Sequence, residues 1–227
     1  MKLSEQVLCA IDDAVAGKFD AALLHACIAI DATAKCLYPC ERNVGIRYMA
    51  CLRDYYWIME PMIGAGFNLI ESRFSNVQLG KNLSPDLADV IYHIFRCSHA
   101  HGDEVPACYS IIPTVGPFGS KWSFGHGELH MPDRIIWALL AITVFSKVNS
   151  HQKSNGPYYL SLGNDQFPIC DWWGREDDFR PVADRYNQTR VRFDKLDRLE
   201  EASGEAANNK VETVFIVQPY PVLDLDP

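Results

Sequence analysis

The segment Asp20–Leu37 constrains the chain most. Ala22, Leu23, Ala26, Cys27, Ile30 and Ala34 recur every three or four residues. That period puts them on one wide stripe of a helix, whereas a strand would scatter them over both faces. So apolar a stripe has to be covered, and its small side chains let a neighbouring element come close. Pro39 stops the helix. The chain therefore has to be built around a long helix covered by partner elements.

Those partners are read from the same periodicity. Leu3–Ala16 is a first helix, with Val7, Ile11 and Val15 on its apolar side, Ser4 as N-cap and Gly17 as stop. A third runs from about Val44 to Met59 and ends before Pro61, carrying Tyr48, Tyr55, Tyr56 and Trp57. Gly64–Leu79 allows short extended pieces around Phe67–Ile70. Ser84-Pro-Asp-Leu starts a fourth helix, with serine as N-cap and proline at the first helical position. It continues through Leu87, Val90, Ile91, Ile94 and Phe95 to about His101, where Gly102 ends it.

Beyond Gly102 the texture changes. Ala107–Ile112 and Lys121–His130 read as strands around the turn-rich 113–120. Met131-Pro-Asp opens an apolar helix from Arg134 to about Val148. Tyr158–Leu162 and Gln166–Cys170 form a hairpin around Gly163-Asn-Asp. Residues 171–200 fit no pattern. Residues 201–210 read as a linker, followed by a late strand, Val211–Val217, and an acidic tail. The expected fold is mainly α: one helical-bundle domain over 1–200 with β-hairpin insertions near 107–130 and 157–170, then linker, strand and tail over 201–227.

Composition bounds function. With 48% hydrophobic residues there is material for a core, and a net charge of −8 argues against a broad basic groove for nucleic acid. Any RNA contact has to rest on a local cluster. The start, Met1-Lys-Leu-Ser-Glu, has no apolar leader, and the most apolar stretch, 135–145, is too short to cross a bilayer. A cytoplasmic location is expected, with no membrane partner and with the eight cysteines as reduced thiols. There is no Cys-x-x-Cys; Cys36 and Cys40 straddle a helix end as two packed thiols.

The chemistry-bearing stretch is His93-Ile-Phe-Arg-Cys-Ser-His-Ala-His-Gly-Asp-Glu104. Arg96, four residues, then His101 at the end of an apolar helix resembles the signature of the HEPN superfamily. The earlier helix around 21–35 resembles the long helix that lies beside the motif helix in that family. The likeness spans about residues 1–150. It implies a metal-independent endoribonuclease or toxin-like effector, with no cofactor, working as a homodimer in which two motif helices meet at one phosphate. His101 would be the acid/base, Arg96 the transition-state stabiliser, and Ser98 and His99 supporting polar groups. The residue types suit the chemistry. Histidine exchanges a proton near neutral pH, and arginine presents a fixed fork of donors to a phosphorane-like charge.

Two points leave the alternative open. Five residues of ideal helix turn by about 140°, so Arg96 and His101 share no face by spacing alone. Cys97, a weak hydrogen-bonder, stands where active members of the family carry a polar residue. The alternative is a non-catalytic HEPN module binding nucleotide, RNA or a protein partner; a further one is that Arg96 and His101 only serve the helix end. A metal site from Cys97, His99 and His101 with His126, Glu128 and His130 matches no strong zinc spacing. Asp171-Trp-Trp-Gly-Arg175 could stack bases or grip a partner, or pack on the core.

Overall fold

The computed structural model describes residues 2–64, 68–75, 77, 79–98, 105–114, 120–125, 127–186 and 213–217; of 120, 121, 124 and 213–217 it describes the backbone alone. Helix α1 is Leu3–Val15 and α2 is Phe19–Leu37. They pack side by side, pinned where His25 Nδ1 meets Gln6 Oε1 at 2.7 Å. Val7 and Ile11 are buried as the stripe requires, but Val15 is exposed. Ser4 lies inside α1, and Lys2 is the N-cap residue, its backbone N–H donating to Glu5 Oε2.

The expected third helix is two. Helix α3, Val44–Asp54, is capped by Asn43, whose side chain accepts from Ile46 N. Tyr55 breaks the run, and α4, Tyr56–Ile63, follows. Pro61 sits inside α4 and does not end it; it removes one helical hydrogen bond, and the helix closes two residues later, before Gly64. After α4 the chain turns at Asn68–Ser72, where the buried Glu60 accepts from Leu69 N at 2.9 Å. Within 68–70 it is a turn, not an extended piece, and Phe67 lies outside the described residues.

Helix α5, Leu87–Val90, starts two residues later than the sequence suggests. Asp86, not Ser84, is the N-cap: its carboxylate accepts from Asp89 N at 2.9 Å, and Asp89 returns a bond to Asp86 N. A third amide of this turn, Ala88 N, donates to Tyr56 Oη. Arg53 braces the turn from α3, donating to both Asp86 oxygens and to Asp89. From Ile91 to Arg96 the helix widens to π geometry, then returns to α at Cys97 and Ser98.

The first β region is not a hairpin around 113–120. Strand β1 is Tyr109–Ile112, and the long expected strand divides into β2, Ser120–Gly125, and β3, Glu128–Pro132, joined through Gly127 at φ 73°. β2 and β3 are the antiparallel pair, and β1 lies parallel to β3, with Ser110 opposite His130. The sheet order is β1-β3-β2-β6, the last being Thr213–Val217, antiparallel to β2. Buried Trp122 of β2 stacks on Phe74.

Helix α6, Arg134–Phe145, is the core element. From Ile135 to Phe145 only Trp137 is less than fully buried. A helix apolar all round has to be surrounded, and α6 is packed by α1, α2 and α4. Asn149 ties its end to α2, donating to Thr33 Oγ1 at 2.9 Å and to Thr143 O at 2.8 Å. The expected hairpin is present: β4, Tyr159–Leu162, and β5, Asp165–Pro168, turn at Gly163 with φ 57°. Two helices follow: α7, Ile169–Trp172, which takes Ile169 and Cys170 from the end of the expected strand, and α8, Glu176–Tyr186, where the sequence shows no pattern. They bring Trp172 and Phe179 onto Phe145 and Phe167, with Phe145 and Phe179 stacked at 4.1 Å. The chain is thus mainly α, with a four-stranded sheet and one small hairpin.

Candidate functional site

The apolar stripe of α2 carries Asp31 at its half-buried edge. A carboxylate there needs a partner, and two arginines supply it. Arg96 Nη2, from the last π-helical residue, donates to Asp31 Oδ2 at 2.5 Å. Arg47 Nη2, from α3, stands 3.7 Å from Asp31 Oδ1. The three side chains are 21%, 16% and 22% exposed for Arg96, Arg47 and Asp31. They form a partly buried cluster with one more positive than negative charge. Burial works against the Arg96 charge, but the Asp31 hydrogen bond and field outweigh it and hold its pKa above the ordinary value.

Aromatic rings fix the cluster from below. The Arg96 guanidinium lies over the Tyr92 ring, 5.6 Å from its centroid, close enough for a cation–π contact. Tyr92 leans on buried Tyr48 at 5.4 Å, and Tyr48 lies against the Cys27 thiol. Burial pushes that thiol up to about 12, so Cys27 is packing and not a nucleophile. Gly45 makes room for Tyr92: a β-carbon there would stand 2.9 Å from the end of the ring. A side chain at 45 would therefore push α3, and Arg47 with it, away from Arg96.

Of the residues expected to carry chemistry, Arg96 is placed among buried and charged groups from three elements. Its partner is a carboxylate on another helix, not the carbonyls of its own helix end. Ser98 is engaged elsewhere: its hydroxyl donates to Ile94 O at 2.6 Å, one turn back, which occupies it with its own helix. His99 and His101 lie outside the described residues, as does His126. Cys97 is half-buried beside the cluster. His130 Nδ1 is 2.7 Å from Ser110 Oγ across β1 and β3. Among the described residues no three histidine, cysteine or acidic side chains are placed to hold a metal ion.

The tryptophan patch is taken up by the protein itself. Trp173 is buried with its indole N–H on Ser154 Oγ at 3.2 Å, Trp172 packs on Phe145 and Phe167, and Arg175 covers Trp172 at 4.6 Å. Asp31 and Arg47 belong to no motif in the sequence. The available signal is Asp31 itself, a carboxylate set between Ile30 and Ala34 at the edge of the apolar stripe.

The fold and this cluster define a mainly helical protein whose charged centre joins α2, α3 and a π-helical segment. The chain belongs to the Rv1289 family, whose model matches residues 2–198. It is 34% identical over 168 residues to "Uncharacterized protein Rv1289" of Mycobacterium tuberculosis (strain ATCC 25618 / H37Rv), covering 73% of this chain and 80% of that protein. The same figures hold for "Uncharacterized protein Mb1320" of Mycobacterium bovis. No solved structure matches the chain. Among the described residues no helix is long and apolar enough to cross a membrane.

Proposed function

We propose that the chain is a HEPN-like protein that engages RNA at Arg96 and cleaves it without a metal, His101 exchanging the proton. The observation that carries this reading is the fixed, partly buried Arg96. Asp31 takes one of its donors, Tyr92 sets its plane, and a guanidinium has five donors in all. Such an arginine is oriented before a phosphate arrives, which is what stabilising a transition-state charge requires. The π-helical turn ending at Arg96 adds support, because such turns inside α-helices are frequent at functional sites.

In the proposed reaction the 2′-hydroxyl loses its proton to His101 and attacks the adjacent phosphorus. The bond to the 5′-oxygen breaks as that oxygen takes a proton from the His101 of the second copy, leaving a 2′,3′-cyclic phosphate and a free 5′-hydroxyl, and Arg96 neutralises the extra negative charge between the two events. Two copies of the chain would place two such sets around one phosphate. The test is single-stranded RNA incubated in EDTA. Cutting with 2′,3′-cyclic ends is expected. Loss of cutting on chelation would overturn the metal-free chemistry.

The second reading, a non-catalytic module binding nucleotide, RNA or a protein partner, is favoured by one observation: Cys97 offers only a weak hydrogen-bonding group next to Arg96. RNA bound tightly and never cut would select it.

A further inference from the structure

We propose that Arg47 is a second phosphate-binding cation, forming with Arg96 a two-arginine clamp on the RNA backbone. This rests on the reading of Arg96 as a phosphate-engaging residue and adds a residue from a different helix, outside the arginine–histidine motif.

Three observations carry it. Asp31 Oδ2 accepts its short bond from Arg96, while Arg47 Nη2 stands 3.7 Å from Asp31 Oδ1, beyond hydrogen-bonding reach, and leaves that buried oxygen without a hydrogen-bond donor. Arg47 Nε is buried and has no acceptor among the described residues. A mostly buried guanidinium with an unused donor is costly, so the cluster holds a positive charge that its one carboxylate does not match. Gly45 and Tyr92 then fix the spacing. The glycine lets the Tyr92 ring close on the first turn of α3, and Arg96 lies over that same ring. Both guanidiniums are thereby set on one carboxylate from opposite elements. An anion seated between them removes the excess charge, and a phosphodiester has two free oxygens to divide between two forks.

The experiment uses the whole chain and a single-stranded oligoribonucleotide with 2′-O-methyl riboses, which binds and cannot be cleaved through its 2′-oxygen. Affinity is measured across a salt series. R47Q is expected to bind about tenfold more weakly, and the slope of log affinity against log salt to become shallower by about 0.7, the loss of one phosphate contact on a single strand. R47K should keep the wild-type slope with a smaller loss of affinity, because it keeps the charge and lacks the fork. If R47Q does not fold, R47K decides: reduced affinity supports the clamp, unchanged affinity overturns it. R47Q with wild-type affinity and slope and a lowered melting temperature would also overturn it, leaving Arg47 as a structural counter-ion of Asp31. Inorganic pyrophosphate separates the two layers. Arg47-dependent pyrophosphate binding without RNA binding would sink the RNA reading and keep the clamp, and no binding of either probe sinks both.

Discussion

Arg96 and Asp31, 65 positions apart in the chain, are joined by a 2.5 Å hydrogen bond that locks the π-helical segment to α2. The bond makes one arginine both a tie between elements and a candidate phosphate ligand. The two roles separate experimentally. Arg96→Ala and His101→Ala should each abolish RNA cleavage or binding. For Arg96→Ala the stability cost should be about 1–3 kcal/mol, the range for leaving a buried polar partner unsatisfied. Asp31→Asn should lower activity more than it lowers the melting temperature, because Arg96 loses its fixed orientation. Cys97→Asn should preserve or raise activity. A large melting loss in the Arg96 and His101 variants with unchanged function per folded molecule would make the pair structural.

Assembly is the second expectation. A two-chain site needs a homodimer, so light scattering at micromolar concentration should report about twice the 25.6 kDa chain mass. A monomer throughout that range would remove the composite site.

Acid should weaken the start of α5. Burial raises the Asp86 pKa, but the hydrogen bonds from Arg53 and from Asp89 N more than offset it and hold the carboxyl below the ordinary value. A carboxylate with a folded pKa lower than its unfolded one binds protons more readily when unfolded. Its contribution is complete above about pH 4, the unfolded value, and is lost as pH falls through the folded one. Denaturant unfolding of wild type and Asp86→Asn should therefore differ above that pH and converge in acid. A difference that stays constant with pH would rule this out.

Among the described glycines Gly174 meets the closest backbone. Its φ is 76°, and a β-carbon would stand 2.4 Å from Ser150 Cβ and 2.5 Å from Ser150 Cα, a backbone atom that cannot swing aside. Gly174→Ala should cost about 2–5 kcal/mol from left-handed strain and overpacking together. Gly17→Ala, at φ 74° in open space, carries the strain alone and should cost about 1–2 kcal/mol. Equal melting temperatures for the two variants would contradict the packing account.

The sequence exposes what repeats and hides what is decided across the chain. The stripe of α2, the apolar α6 and the turn at Gly163 are legible because each is a local pattern of side chains. The break at Tyr55 is not, since the aromatic residues on either side fit one longer helix equally well. Pro61 misleads because the helix ends only two residues after it, so little is lost by including it. The π turn leaves no trace in hydrophobic spacing over six residues. Of the candidate site, Arg96 stands out in the sequence as an arginine at the end of an apolar helix, and the structure pairs it with Asp31. Arg47 does not stand out, because nothing near it in sequence indicates that α3 will meet Asp31.

The partner of β2 comes from the far end of the described chain. β6 supplies Thr213–Val217 to the open side of β2, while β3 lies only a turn away on the other. The near pair can zip early; the far strand has to wait for a long loop to close, and pairings of that kind slow folding. Until it arrives, or in a chain cut short of it, β2 shows a row of unsatisfied amides and carbonyls. A bare edge of that sort templates association with other chains, so fragments ending near residue 200 should lose material to aggregation even with every helix of the bundle intact.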